Sequence, residues 1–332
     1  MRRDEAFAPT ASGWPRLENP AISCIVPALN EHDSLAQLLP RLAQTLGALS
    51  SNWEIILVDD GSTDATPQLM AGYSRVPGFR YLRLSRNFGK EAAISAGLSA
   101  STGDVVLCMD ADLQHPLELV PEMFARWQTG SDNVYAVRAN RDDERWLKSL
   151  GSRLFYGILG QRQRVVVPPD AGDFRLMDRK VVDALLSLPE RTRFMKGLYA
   201  WVGFDAEAIP YVPAARAHGS TKFSAWHLVR LATDGITAFS TWPLRALSTV
   251  GLLLALLSFF YGSFLVVDYF RNGNEVSGWT TIVTALFFFS GINFIALGII
   301  GAYIARIFDE VKQRPLYIVR ESSGVRQRGD AS

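Results

Sequence analysis

The chain has 332 residues, a formal net charge of +1 with histidines neutral, and 48% hydrophobic residues. That length accommodates a globular domain of ordinary size plus an appendage. The near-balanced charge lacks the basic surplus of a nucleic-acid binder. Two cysteines, Cys24 and Cys108, each inside an apolar run, argue against a disulfide framework and for a reducing compartment.

Met1 to Asn19 carries charges and prolines but no apolar h-region, so residues 1–20 read as a loosely ordered lead-in rather than a cleaved signal. AISCIVPAL is a short apolar run bounded by Pro20 and Asn30, a buried strand. Leu35, Leu38, Leu39, Leu42 and Leu46 then follow helical spacing. EIILVDDGS predicts a second strand, followed by a helix from about Thr63 with Ser62 or Thr63 as its N-cap. FRYLRLS is a third strand, EAAISAGLSA a small-residue helix, and DVVLCMDAD a fourth strand. A helix opens at Pro116, and NVYAVRA is a fifth strand. Apolar strands alternating with helices imply an α/β fold with a mostly parallel sheet covered on both faces. Further on, a helix is expected around Trp146 to Leu159, a strand at DFRLM, a helix from Lys180 and a strand near AIPYVPA.

The last third changes character. Ala246 to Val267 and Val276 to Ala305 are uncharged runs, each longer than the ~20 residues a bilayer-spanning helix needs. Arg230, Arg245, Arg306, Lys312, Arg314 and Arg320 flank the pair, while the connection holds Asp268, Arg271 and Glu275. The positive-inside rule places the preceding domain and both termini in the cytoplasm. Phe223 to Thr241 is amphipathic and suits the membrane interface. The expected division is a soluble domain at 21–222, an interfacial helix at 223–242, transmembrane helices at 243–268 and 276–306, and a cytoplasmic tail at 307–332. A homo-oligomer through Gly291, Gly298 and Gly301 stays open.

In open parallel sheets, ligands bind beyond the carboxyl ends of the strands. Polar residues collect there: Asn30 and Glu31, Asp59 and Asp60, Arg86 and Asn87, Asp110 and Asp112, and Arg138. Neither GxGxxG nor GxxxxGK[ST] is present, which disfavours a dinucleotide oxidoreductase or P-loop NTPase. Two close carboxylates, as in Asp110-Ala111-Asp112, repel unless a cation sits between them. Mg²⁺ or Mn²⁺, with phosphate oxygens as further ligands, fits that need, and Gln114 could add an amide oxygen. Arg138, Arg175, Arg216 and Lys222 are the basic candidates to complete a phosphate site, the last two in RAHGSTKFS with Ser220 and Gly219.

IVPALNE, VDDGSTD, LSRNFGKEAAISAGL, MDADLQHP and RAHGSTKFS together resemble glycosyltransferase family 2, and more closely its polyprenyl-phosphate glycosyltransferases. DFRLM and KQRPLYIV after two spans are similar to the bactoprenol glucosyltransferases of bacteria. The resemblance covers about Ala21 to Val319. It implies a GT-A catalytic domain in the bacterial inner membrane. Pro27, Leu29, Glu31, Asp59, Asp60 and Lys90 would hold the nucleotide-sugar donor with Asp110 and Arg138. Asp110, Asp112 and Gln114 would hold Mg²⁺ or Mn²⁺. Arg175, Arg216, Ser220 and Lys222 would meet phosphates, including those of a polyprenyl phosphate acceptor. The family usually has a second acidic residue after Glu31, where this chain has His32. The absence of Gln-x-x-Arg-Trp, the motif of processive synthases, implies one transfer per acceptor. Asp112 and Asp173 are the expected catalytic carboxylates, Asp173 as a base or as an orienting group. UDP-glucose is the favoured donor; GDP-mannose, a UDP-N-acetylhexosamine or a UDP-modified arabinose are alternatives. A non-catalytic nucleotide-sugar-binding membrane protein is the reading from another class.

Overall fold

The computed structural model describes residues 17–138, 171–191, 193–212, 242–272 and 278–324. The expected helix at Trp146 to Leu159, the segment RAHGSTKFS with Arg216, Ser220 and Lys222, and the amphipathic stretch up to Thr241 lie outside the described residues.

The strands are β1 (Ile22–Ala28), β2 (Trp53–Asp59), β3 (Phe79–Leu84), β4 (Val105–Cys108), β5 (Asn133–Arg138), β6 (Ala171–Asp178), β7 (Ala206–Tyr211) and β8 (Val319–Ser323). They form one sheet in the order β7-β5-β6-β4-β1-β2-β3-β8. β1 pairs in parallel with β2 and β4, β2 with β3, and β5 with β7. β6 runs antiparallel between β4 and β5. β8 runs antiparallel along β3. The tail that sequence reading leaves without structure thus contributes an edge strand.

The helices are α1 (His32–Leu49), α2 (Thr66–Tyr73), α3 (Lys90–Ala100), α4 (Leu119–Gln128), α5 (Arg179–Ser187), α6 (Met195–Trp201), α7 (Trp242–Asn272) and α8 (Trp279–Lys312). Side chains alternate across the central strands. Cys24, Val26, Leu57, Tyr81 and Leu107 pack in one core with α1 and α4. Ile25, Ile56, Val58, Val106 and Cys108 pack in the other with α3 and α5. Both faces of the sheet are therefore covered, which explains why these strands read as continuous apolar runs. Cys24 and Cys108 are both buried and free.

Two helix starts differ from expectation. α2 begins at Thr66 with Ala65 at the N-cap. Ser62 is used elsewhere, accepting from the Asn30 N–H at 2.9 Å, and Asp64 Oδ1 accepts from the Thr66 N–H at 2.9 Å. α4 begins at Leu119, after a turn that opens at Pro116.

α7 and α8 are long, and most of their large apolar side chains that are described face outward, among them Phe259, Phe260, Phe288 and Phe294. Among the described residues, one segment, Phe288–Lys312, meets the length and hydropathy of a membrane span, and none of it is buried. At the far end of α8, the Glu310 carboxylate accepts from the Arg191 N–H at 2.9 Å, tying this helix to the sheet domain.

Candidate active site

The carboxyl ends of β1, β2 and β4 open into a cleft of about 260 Å³ lined by Pro27, Leu29, Glu31, Asp60, Lys90, Asp110 and Asp112. Loop geometry gathers these side chains. Asn30 adopts a left-handed backbone, φ 58°, and its Oδ1 accepts from the Thr63 N–H at 2.8 Å. The Glu31 N–H donates to Thr66 Oγ1 at 2.9 Å. The hydroxyl-rich VDDGSTDAT segment therefore pins the loop after β1 to the loop after β2.

Gly61 closes the other side. Its φ is +77°, and a Cβ there would stand 2.6 Å from the Arg86 carbonyl carbon. This approach lets Asp60 accept from the Phe88 N–H at 2.8 Å and the Gly89 N–H at 2.9 Å. Burial raises the Asp60 pKa; the two amide donors oppose that shift without cancelling it.

Asp59 is placed apart from Asp60. Side chains alternate at the strand end, so it turns away from Asp60. It is fully buried, accepts from the Ser62 N–H at 2.7 Å, and lies 3.3 Å from Arg83 Nε. It braces the loop and does not line the cleft.

The cleft's base is an ionic cluster. Lys90 Nζ lies 2.7 Å from Asp110 and 2.7 Å from Asp173. Antiparallel pairing explains the meeting. Cys108 opposes Arg175, so two residues further along each strand Asp110 comes level with Asp173. Burial alone would lower the Lys90 pKa, but the two carboxylates outweigh it and hold the ammonium above its ordinary value. Burial would raise the Asp173 pKa, but Lys90 reverses the shift and holds it below the usual carboxylate range. Glu91, next along α3, lacks such compensation: burial, aided by Asp173, pushes its pKa up to about 8.

Asp112 faces the cleft and accepts from the Gln114 N–H at 3.1 Å. Gln114 is engaged by a basic neighbour. Its Oε1 accepts from Arg138 Nη2 at 3.1 Å, so in this structure it orients Arg138 rather than offering an oxygen beside the aspartates. Arg175 lies away from the cleft. It is 2% exposed, its guanidinium stacks 3.4 Å from the Tyr199 ring centroid, and Nη2 donates to the Gly172 carbonyl at 2.8 Å. It faces the core beneath α6 and does not line the cleft.

Several residues here escape sequence reading. Gly89 and Ala93 join Asn87 in lining the cleft. His115 supports the floor: Nδ1 accepts from the Asp110 N–H at 3.3 Å, and its ring stacks on Phe174 with centroids 4.6 Å apart. Burial lowers the His115 pKa, although Asp110 and Asp112 pull it upward.

The donor set suits a hard divalent cation. Asp110 and Asp112 supply oxygens at one rim, and among the described residues no group of three or more His, Cys, Asp or Glu forms a closed cage. An open pair of carboxylates is how Mg²⁺-type ions are held when substrate phosphates complete the shell.

Comparison with known proteins agrees on the family. Residues 23–186 match the family model for glycosyl transferase family 2. A glycosyltransferase of uncharacterized role from Synechocystis sp. is 44% identical over 92% of this chain and 96% of its own. The chain belongs to glycosyl transferase family 2. This glycosyltransferase is also 39% identical, over 91% of its length and 98% of the relative's, to the SfII prophage-derived bactoprenol glucosyl transferase of Shigella flexneri. In the Escherichia coli K12 prophage bactoprenol glucosyl transferase homolog, identity is 38% over 90% of this chain and 98% of that one. The solved mannosyltransferase of Pyrobaculum calidifontis aligns at 17% identity and a TM-score of 0.47, over 88% of this chain and 87% of that one. The fold is α/β, with a mostly parallel sheet.

Proposed function

We propose that this glycosyltransferase moves one sugar from a nucleotide-sugar, UDP-glucose first among them, to a polyprenyl phosphate at the cytoplasmic membrane face, with inversion at the anomeric carbon. One observation carries the reading: Asp60, Asp110 and Asp112 line a single cleft, with Lys90 at its base. The bactoprenol glucosyl transferases similar to this chain along nearly their whole length support the acceptor.

Pro27, Leu29, Glu31 and Asp60 would receive the nucleoside. Asp110 and Asp112 would hold Mg²⁺ or Mn²⁺, and Arg138, presented by Gln114, would meet phosphate oxygens. A bound divalent cation supplies charge neutralisation for a departing diphosphate. A phosphate monoester has a second pKa near ~6, so the attacking oxygen is already largely ionised at neutral pH. A protein base is then unnecessary. Asp173, ionised and paired with Lys90, acts as a positioning residue that fixes the ammonium at the cleft base. Arg216, Ser220 and Lys222 remain proposed phosphate contacts.

Two membrane crossings are supported by the sheet's connectivity. The chain leaves the sheet at β7 and rejoins it at β8, against β3. If α8 crosses a bilayer, the chain must cross back, and α7 is the helix available for that.

The test is transfer of radiolabelled glucose from UDP-glucose into an organic-solvent phase by the full chain in detergent. Product that requires both added undecaprenyl phosphate and a divalent cation is expected. Label that stays aqueous, or reaches the organic phase without added lipid phosphate, would end the proposal.

A further inference from the structure

A second groove, of about 650 Å³, adjoins the donor cleft and shares Gly89 and Lys90 with it. Arg86, Arg191, Arg193 and Arg314 line it, with Phe88 and Leu316 among its apolar walls. Arg314 follows α8 directly, so the groove lies where that helix meets the sheet domain.

Carboxylates stand near it, Asp60 by Arg86, Glu190 by Arg193, and Glu310 on the Arg191 N–H. Among the described residues, none of the four arginines forms a salt bridge with a carboxylate. Arg86 is held by its Asn87 carbonyl contact at 2.9 Å and by stacking 4.0 Å from the Phe88 ring centroid. Arg193 donates to the Leu188 carbonyl at 3.0 Å, yet its Nη1 is buried without a partner. Burial pushes the pKa of Glu91, the carboxyl in the lining, up to about 8. Guanidiniums gathered without direct ion pairs keep their donor forks open for phosphate, which they bind bidentately. Four of them match a dianion better than a singly charged diester.

We propose that this groove holds the terminal phosphate of the lipid acceptor beside the donor cleft, with Phe88 and Leu316 against the first prenyl carbons. The inference rests on the acceptor reading above and adds a location for it. It explains why the chain after α8 returns to the sheet: Arg314 and Leu316 are thereby fixed opposite the α3 N-terminus. Lys90, common to both cavities, marks where acceptor and donor would meet.

The test is direct binding of undecaprenyl phosphate to the full chain in phosphatidylcholine nanodiscs, read by native mass spectrometry, with turnover measured separately. The double variant Arg191→Gln/Arg314→Gln removes side chains that make no salt bridge, so the fold should hold. Its melting temperature checks that, and the Arg→Lys pair should restore part of the affinity. Lipid affinity should fall at least about tenfold, since each lost charge-assisted contact is of that order. Acceptor KM should rise in parallel, with donor KM and UDP affinity unchanged. Undiminished lipid binding by the double variant would overturn the assignment. So would equal competition by phosphatidylglycerol, which would make the groove a general headgroup site. If wild type binds the lipid through these arginines but transfers no sugar to it, the acceptor reading fails while the groove stands.

Discussion

Replacing Asp173 by Asn separates a positioning carboxylate from a proton acceptor. The side chain is 10% exposed and meets Lys90, itself 44% exposed, at 2.7 Å. A hydrogen bond to a charged group contributes ~1.5–3 kcal/mol, and the partly open lysine lowers that toward ~1 kcal/mol through screening. Asp110 keeps its own 2.7 Å contact, so the ammonium is not orphaned. Asp173 Oδ1 is buried without a partner, and an amide there removes a desolvated charge, which offsets part of the loss. A net destabilisation of about 1 kcal/mol at neutral pH is expected. The folded-state pKa of Asp173 is lowered. Its contribution is therefore complete above the unfolded value of ~3.9 and is lost as pH falls through the lower folded value. Melting curves of wild type and variant should converge in that acid range. Transfer should slow by about tenfold while the shape of its pH profile is kept, because the lysine is displaced rather than a proton path cut. A loss beyond about 10³-fold, with disappearance of the acid limb, is the signature of a general base. That result would refute the positioning role.

Asp112→Asn, assayed at saturating cation, should lower transfer by at least about 10²-fold, and a chelator should abolish wild-type transfer until Mg²⁺ or Mn²⁺ is restored; retained activity in either case removes the metal assignment. Gly61→Ala should destabilise by about 2–4 kcal/mol, because the backbone at φ +77° and the Arg86 carbonyl carbon leave no room for a Cβ. Thermal unfolding checks the loss, and weaker UDP binding should accompany it as the Asp60 loop shifts. Ending the chain before Val319 removes β8 and exposes the β3 edge; a lower melting temperature and concentration-dependent aggregation by light scattering are expected. An unchanged melt would mean that β8 adds nothing to the domain.

How far the sequence reveals this molecule follows from what each signal encodes. Strands buried on both faces announce themselves as apolar runs, so β1 through β4 and the covered sheet are legible from composition alone. Direction is not encoded that way. DFRLM reads as a strand, but only its pairing makes it antiparallel, and that pairing carries Asp173 to the rim where Asp110 ends β4. The three-way contact with Lys90 is thus a product of register that no local pattern announces. Facing is the second limit. Asp59 and Asp60 are chemically identical neighbours, yet a one-residue step at a strand end sends one into the core against Arg83 and the other into the cleft. Arg175, two residues past Asp173, shares its face of the sheet: chemistry suggests phosphate, while the strand's interior position commits it to Tyr199. β8 escapes for a different reason. VRESS is short and polar, and it is a strand only because β3 offers a free edge. Composition therefore discloses which residues can do chemistry, and pairing decides which of them meet. The residues that sequence reading misplaces are those whose role is fixed by a neighbour distant in the chain.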